Sequence, residues 1–427
     1  MSRISSPLVD HRNKDAAPVG HRATWALAVA QLVSWGTVYY AFSLFVVPME
    51  HAMNWSRIET NAALSLGLLV SGLAAYPIGT WIDHGHGRKI MMAGSILSTA
   101  MLLLWSQAHT LATLFVVWIG LGMSMAATLY DPVFAVVTRV YPGSFRTEIT
   151  LITLVAGFAS TVFVPLTQGF INGLGWRGAL IALAAMNVAI SLPIHAAAIK
   201  RNGATDATVG DKARLKAVNT TSTQRALRTP TFWALAVCFT AYYATFAALT
   251  FHLVPLMLAR KVPAGWLLTT MAIIGPAQVA ARALWFAVGR NLRPERVGLI
   301  VTAAFPVSVL VLLYAGTSPY LLMLFALVYG GANGMMTILR GTIVQDAMWT
   351  EGYGAISGLL SAPSNIAKGI APISAAALWT VQRNYALVEW VILGVSLVST
   401  VAFLVAMRFA PAHRSADGPA ATGAMQK

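Results

Sequence analysis

The sequence predicts an all-α membrane protein of twelve transmembrane helices arranged as two pseudo-symmetric six-helix bundles. Three observations carry that expectation. The chain of 427 residues is 57% hydrophobic and 10% charged, with a mean hydropathy of +0.68, whereas soluble domains carry about 25% charged residues. Its apolar residues fall in runs long enough to span hydrocarbon, which takes about 20 residues per helix. One long polar segment then divides those runs six and six.

The runs lie at about 23–48, 58–82, 90–108, 111–138, 148–174 and 177–198, then 230–258, 264–289, 296–315, 319–343, 352–379 and 385–409. Such segments must be helical, because each has to satisfy its own backbone polar groups in lipid. Gly and Pro within them are tolerated where neighbouring helices pack closely. The break at 199–229 holds seven Lys/Arg and two Asp. The expected organisation is a tail at 1–22, a bundle at 23–198, a loop at 199–229, a second bundle at 230–409 and a tail at 410–427. The halves also echo each other. Tyr39-Tyr40-Ala41 matches Tyr242-Tyr243-Ala244, Gly120 and Met125 match Gly330 and Met335, and Pro165 with Gly178-Ala179-Leu180 answers Pro372 with Tyr385-Ala386-Leu387. Internal repeats of this kind are common in secondary transporters.

The net charge of +15 does not point to nucleic acid, because the basic residues sit in short segments between apolar runs. With the N-terminus placed in the cytoplasm, inside segments carry 21 Lys/Arg against 5 outside, out of 29. The positive-inside rule therefore predicts cytoplasmic termini and a cytoplasmic central loop. The first apolar run is too long for a cleaved leader. The expected location is the inner membrane of a bacterium. Cys238 is the sole cysteine, so no intrachain disulfide forms.

Charge within the spans is the main functional signal. Arg282, Arg340 and Lys368 lie inside apolar runs, and Asp131 is the one acidic residue at comparable depth. A charge in the bilayer centre costs roughly 2.5–3.5 kcal/mol on insertion scales. A water-filled cavity that receives an anion would offset that cost. Helical spacing places Gln278 with Arg282, Tyr329 with Asn333, Met336 and Arg340, Ser357 with Ser361, Ser364 and Lys368, and Ser124 with Thr128 and Asp131. Four polar stripes are thus expected to face one interior.

The loop after the second span reads Gly79-Thr80-Trp81-Ile82-Asp83-His84-Gly85-His86-Gly87-Arg88-Lys89. Gly79 permits close helix approach, Asp83 suits an adjoining helix N-terminus, and Arg88 and Lys89 can form ion pairs. His84 and His86 with one Asp make too few ligands for a metal. This loop resembles the signature loop of the major facilitator superfamily, with one residue more than usual between the Asp and Gly87-Arg88-Lys89. The resemblance implies a latch that stabilises the outward-open state. The usual fourth-span arginine is absent, with Trp118 preceding Gly120, and so is the fifth-span motif of drug/proton antiporters.

Within the superfamily the chain resembles the monocarboxylate-transporter and oxalate/formate-antiporter branch, through Ser34-Trp35-Gly36, Arg146, Gly157, Arg282 and Lys368. The resemblance implies that Arg282 and Lys368 bind substrate carboxylates. Where monocarboxylate relatives often have an aspartate, one turn before that arginine, this chain has Gln278. The expected substrate-binding residues are Arg282, Lys368, Tyr39, Tyr130, Gln278, Asn333 and Ser364. Asp131, Arg340, Asp83, Arg88 and Lys89 are expected in coupling or gating. The reading is a monomeric secondary carrier of a small mono- or dicarboxylate working by alternating access, by symport or exchange, with protons as a candidate co-substrate. It has no cofactor, metal, nucleic-acid partner or enzyme activity. The alternatives are an efflux carrier for a less polar metabolite or drug, and a non-transporting sensor on the carrier fold.

Overall fold

The fold is built from helices whose breaks matter as much as their lengths. The computed structural model describes residues 22–199, 220–288, 294–349 and 351–410; the predicted tails at 1–22 and 410–427, save Arg22 and Ala410, and most of the central loop lie outside them. In the first half, α1 (Arg22–Ser34) passes through a π-helical stretch, Trp35–Tyr40, into α2 (Phe42–Met53). Next come α3 (Arg57–Trp81), a π-helical turn at Ile82–His86, and α4 (Gly87–Ser106). They are followed by α5 (Leu111–Thr128), α6 (Tyr130–Val140), α7 (Phe145–Ala156) and α8 (Ala159–Met186). A π-helical stretch at Asn187–Ser191 then leads into α9 (Leu192–Ala197). Residues 220–227 of the predicted polar break are helical (α10). The second half holds α11 (Pro230–Ala259), α12 (Ala264–Val288), α13 (Pro294–Ala315), α14 (Pro319–Ala347), α15 (Tyr353–Gln382) and α16 (Ala386–Phe409).

Among the described residues, nine helical stretches are long and apolar enough to cross a membrane. Two of them, Ile58–Ser106 and Phe145–Ala197, run for 49 and 53 residues, about twice the length one crossing needs. Each reverses at a glycine held in a conformation that side chains resist: Gly85 at φ 88° and Gly175 at φ 69°. Each therefore holds two crossings. The twelfth is α15, whose serines, Asn365 and Lys368 dilute its apolar character. The architecture is the expected all-α one, without strands among the described residues.

Packing inside each half follows ordinary aromatic geometry. In the first half, Trp118 meets Phe42 at 4.8 Å and Trp105 at 5.4 Å, both edge-on. In the second, Phe305 packs on Tyr242 at 4.8 Å and on Tyr329 at 5.4 Å. Arginines close the helix ends far from the 82–86 turn. Arg177 donates to Ser106 O (2.6 Å) and Ala108 O (3.0 Å) at the end of α4, and Arg260 donates to Leu312 O (2.6 Å) in α13. A cation suits these carbonyls because they carry the negative end of the helix dipole.

The halves meet most closely along α3 and α15. At the end carrying the 82–86 turn, called the loop end below, Gly79 lies against the Gly354 carbonyl and Gly358 against Ala75. Farther in, a Cβ on Gly72 would stand 3.0 Å from Ala362 O. Only glycine permits this approach of two backbones. Towards the opposite end, α2 and α8 pack chiefly against their own bundle, and the far half of α15 exposes Ile370, Ile373 and Val381.

Candidate functional site

At the loop end the signature residues act across the boundary between the bundles. The Asp83 carboxylate accepts backbone N–H groups from Gly354 (2.9 Å) and Ala355 (2.8 Å), at the first turn of α15. An anion there satisfies donors that the helix leaves unpaired and sits at the positive end of its dipole. The extra residue between Asp83 and Gly87 lies in the turn at which the chain reverses at Gly85 (φ 88°). Arg139 donates to the Asp83 backbone carbonyl. Arg146 of α7 forms an ion pair with Asp346 of α14, and Gln345 donates to Thr138 Oγ1 (2.5 Å). Arg139, Arg146 and Asp346 thus tie this end together. The loop's charge run was legible in the sequence, but which cation meets which acid depends on helix rotation.

Deeper in, Asp131 and Arg340 face each other at 3.2 Å. Ser361 of α15 donates to Asp131 Oδ2 (2.8 Å) and accepts from Arg340. Tyr243 joins the cluster from α11, with the Arg340 guanidinium 5.4 Å and the Lys368 ammonium 4.0 Å from its ring centre. Lys368 also donates to Asn365 Oδ1 (3.2 Å). Arg282 is 4% exposed. Its Nε donates to Gly334 O (3.0 Å) in its own bundle, and its Nη1 to Thr153 O (3.1 Å) across the boundary. Thr153 lies in the last turn of α7, and its carbonyl also accepts the Gly157 N–H (2.9 Å). A cavity of about 240 Å³ lies on the loop side of Arg282, bounded by Arg146, Thr150, Trp285, Met335 and Asp346.

Residues 27–275 match the family described as Major Facilitator Superfamily. The chain belongs to that superfamily. It is 26% identical over 338 residues to rat monocarboxylate transporter 13 (Rattus norvegicus), covering 76% of this chain and 77% of the relative. Two solved structures share the fold. The human organic anion transporter MFSD10 superposes with a TM-score of 0.66 at 14% identity, over 91% of this chain and all of that one. The proton:xylose symporter XylE superposes with a TM-score of 0.68 at 11% identity, over 91% of this chain and 96% of that one. Within the superfamily the chain is a transporter-type protein resembling the monocarboxylate branch.

The structure places the polar residues singled out in the sequence on more than one face. The four polar stripes do not all converge. Asn333 accepts from Tyr242 OH (2.6 Å) inside the second bundle, and Ser364 is fully buried with its hydroxyl on Leu360 O (3.0 Å). Ser124 donates to Gly94 O (3.0 Å), and Thr128 to Ser124 O (2.8 Å). A hydroxyl can back-bond to its own helix, so it needs no cavity. The three intramembrane cations are also not equivalent, since Arg340 has its carboxylate. Tyr39, Tyr130, Gln278 and Lys368 each keep part of their surface accessible. Tyr243 entered the sequence reading only through the repeated Tyr-Tyr-Ala motif, and its contact with two cations marks it out.

Proposed function

We propose that this chain is a secondary carrier of small organic anions, with Arg282 and Lys368 holding the substrate carboxylate between the two bundles. One observation carries the reading. Among the described residues, neither cation has a carboxylate against it: Arg282 is bonded to carbonyls, and Lys368 to an amide and a ring. Buried charge without a counter-charge is costly, and an anionic guest supplies that counter-charge. Arg282 suits the task because its planar fork matches a carboxylate and stays charged. Three of its five N–H donors are not engaged in these bonds. The similarity to a rat protein named as a monocarboxylate transporter supports the same substrate class.

Alternating access then works as rocking of one bundle on the other. Arg282 bridges both through Thr153 and Gly334, so a substrate that takes its donors changes a contact between the halves. Asp131 and Arg340 act as a charge lock whose opening exposes Asp131 to a proton. Asp83 latches the loop end, which the charge bias places in the cytoplasm together with both termini. The test is uptake of radiolabelled small carboxylates into proteoliposomes, with and without a proton gradient. Transport that falls at least tenfold in Arg282→Lys supports the assignment. No flux or exchange with any carboxylate removes it.

A further inference from the structure

We propose that the substrate is a carboxylate carried on an aromatic body, rather than a short aliphatic acid. This deepens the anion reading above and rests on it. The observation is a cluster of five rings around the unpaired cations. Trp35 lies 5.2 Å from Tyr39, 6.0 Å from Tyr40 and 4.8 Å from Tyr130. Tyr39 and Tyr40 are edge-on at 5.4 Å. The π-helical stretch creates this grouping, shown by the Ala41 N–H bonding to Gly36 O (3.1 Å), five residues back. With that wider turn, residues five apart share a face, so Trp35 and Tyr40 point the same way.

The cluster lies near the cations. Tyr40, Tyr130 and Tyr243 all lie within electrostatic range of Arg282, and Tyr39 lies within range of Tyr243. The repeated Tyr-Tyr-Ala motif thus supplies a ring from each bundle to one place. All five residues are half-buried, and Tyr130 also stacks on Phe134 at 5.3 Å. The Trp35 indole N–H has no partner among the described residues. Partly accessible aromatic surface beside buried cations suits a ligand site, in which a few polar groups fix orientation and ring faces supply contact area. An aliphatic acid of two to four carbons would leave these faces uncovered. An aromatic acid can set its carboxylate on Arg282 or Lys368 and its ring against Trp35 and Tyr130.

The experiment is a binding and competition screen on the full-length protein. Benzoate, phenylacetate and indole-3-acetate are compared with acetate, lactate and succinate, by thermal shift and by inhibition of proteoliposome uptake. The aromatic acids should bind roughly tenfold or more tightly than the aliphatic ones, about 1.4 kcal/mol. Tyr130→Leu and Trp35→Leu should erase that preference, while Tyr130→Phe retains it. The unliganded melting temperature of each variant separates lost binding from lost folding. If aliphatic acids bind as tightly as aromatic ones, or if Tyr130→Leu keeps the preference in a folded protein, the inference fails and the anion reading stands. If no carboxylate of either kind binds, both fall.

Discussion

Asp131 and Arg340 meet at 3.2 Å from opposite bundles, with the Ser361 hydroxyl joined to both. On the proposed alternating-access mechanism, opening the loop end pulls this pair apart, so its strength is part of the energy difference between the two access states. The arginine is almost fully buried and the aspartate side chain is 31% exposed. A pair in that setting is better viewed as a register device than as a source of stability.

Removing one partner should therefore cost more than removing both. Asp131→Asn leaves the Arg340 charge buried, and should lower unfolding stability by about 1–3 kcal/mol, below the 3–5 kcal/mol of fully buried pairs. Asp131→Asn combined with Arg340→Gln should recover at least half of the loss. Thermal unfolding of the purified protein in detergent measures both. Strict additivity of the two single effects would show that the pair is not coupled.

The Asp83 contact to α15 makes a second prediction. Asp83→Asn removes the charge that accepts two N–H groups. Losing such a cap costs about 0.5–2 kcal/mol. Spin labels at positions 143 and 286, on opposite bundles at this end, should then report a larger share of long distances. An unchanged distance distribution would mean that Asp83 does not hold the latch.

Sterics test the same closure independently. Gly79 and Gly358 contact backbone of the facing helix with no room for a Cβ. Gly79→Val and Gly358→Val should keep the loop end apart, giving the long label distances even in the presence of substrate. The change should exceed that of Asp83→Asn, because backbone cannot move aside as a side chain can.

The position of Arg282 can be challenged without touching it. A Cβ on Gly157 would collide with Arg282 Nη1, close to the Thr153 carbonyl that the arginine bonds. Gly157→Ala should therefore cut uptake several-fold with little change in melting temperature. Unaltered kinetics would show that the bridge from Arg282 to α7 is dispensable.

The sequence made the span count and the two-half division legible, because hydropathy and chain length dictate both in lipid. Asp83 was legible because a carboxylate beside a tight Gly-rich turn has few structural uses. The internal breaks were not. Nothing in Leu129 announces the helix break between α5 and α6, and Trp35–Tyr40 reads as an ordinary span although it winds as a π-helix. Where Asn333 and Ser364 sit was not legible, because spacing tells which residues share a face, not whether that face meets a cavity or a neighbouring helix. The Asp131–Arg340 pairing was one of several the sequence allowed. Only the rotation of α14, which turns Arg340 inward while Asp346 meets Arg146, selects it.

The Arg260–Glu389 pair offers the sharpest contrast to the central site. Arg260 Nη2 contacts both Glu389 oxygens at 2.7 Å, at the end of the second bundle away from the 82–86 turn. Both residues belong to one bundle, and Arg260 also caps α13 through Leu312. Rocking of one half against the other leaves every one of these contacts intact. Glu389→Gln should thus lower the melting temperature, by about 1–3 kcal/mol in stability for a charge-assisted bond, without changing the label distances at positions 143 and 286. KM for the transported acid should also stay the same in the folded fraction. A shift in KM or in the access equilibrium would place this pair in the transport cycle, and would mean that the second bundle does not move as a rigid body.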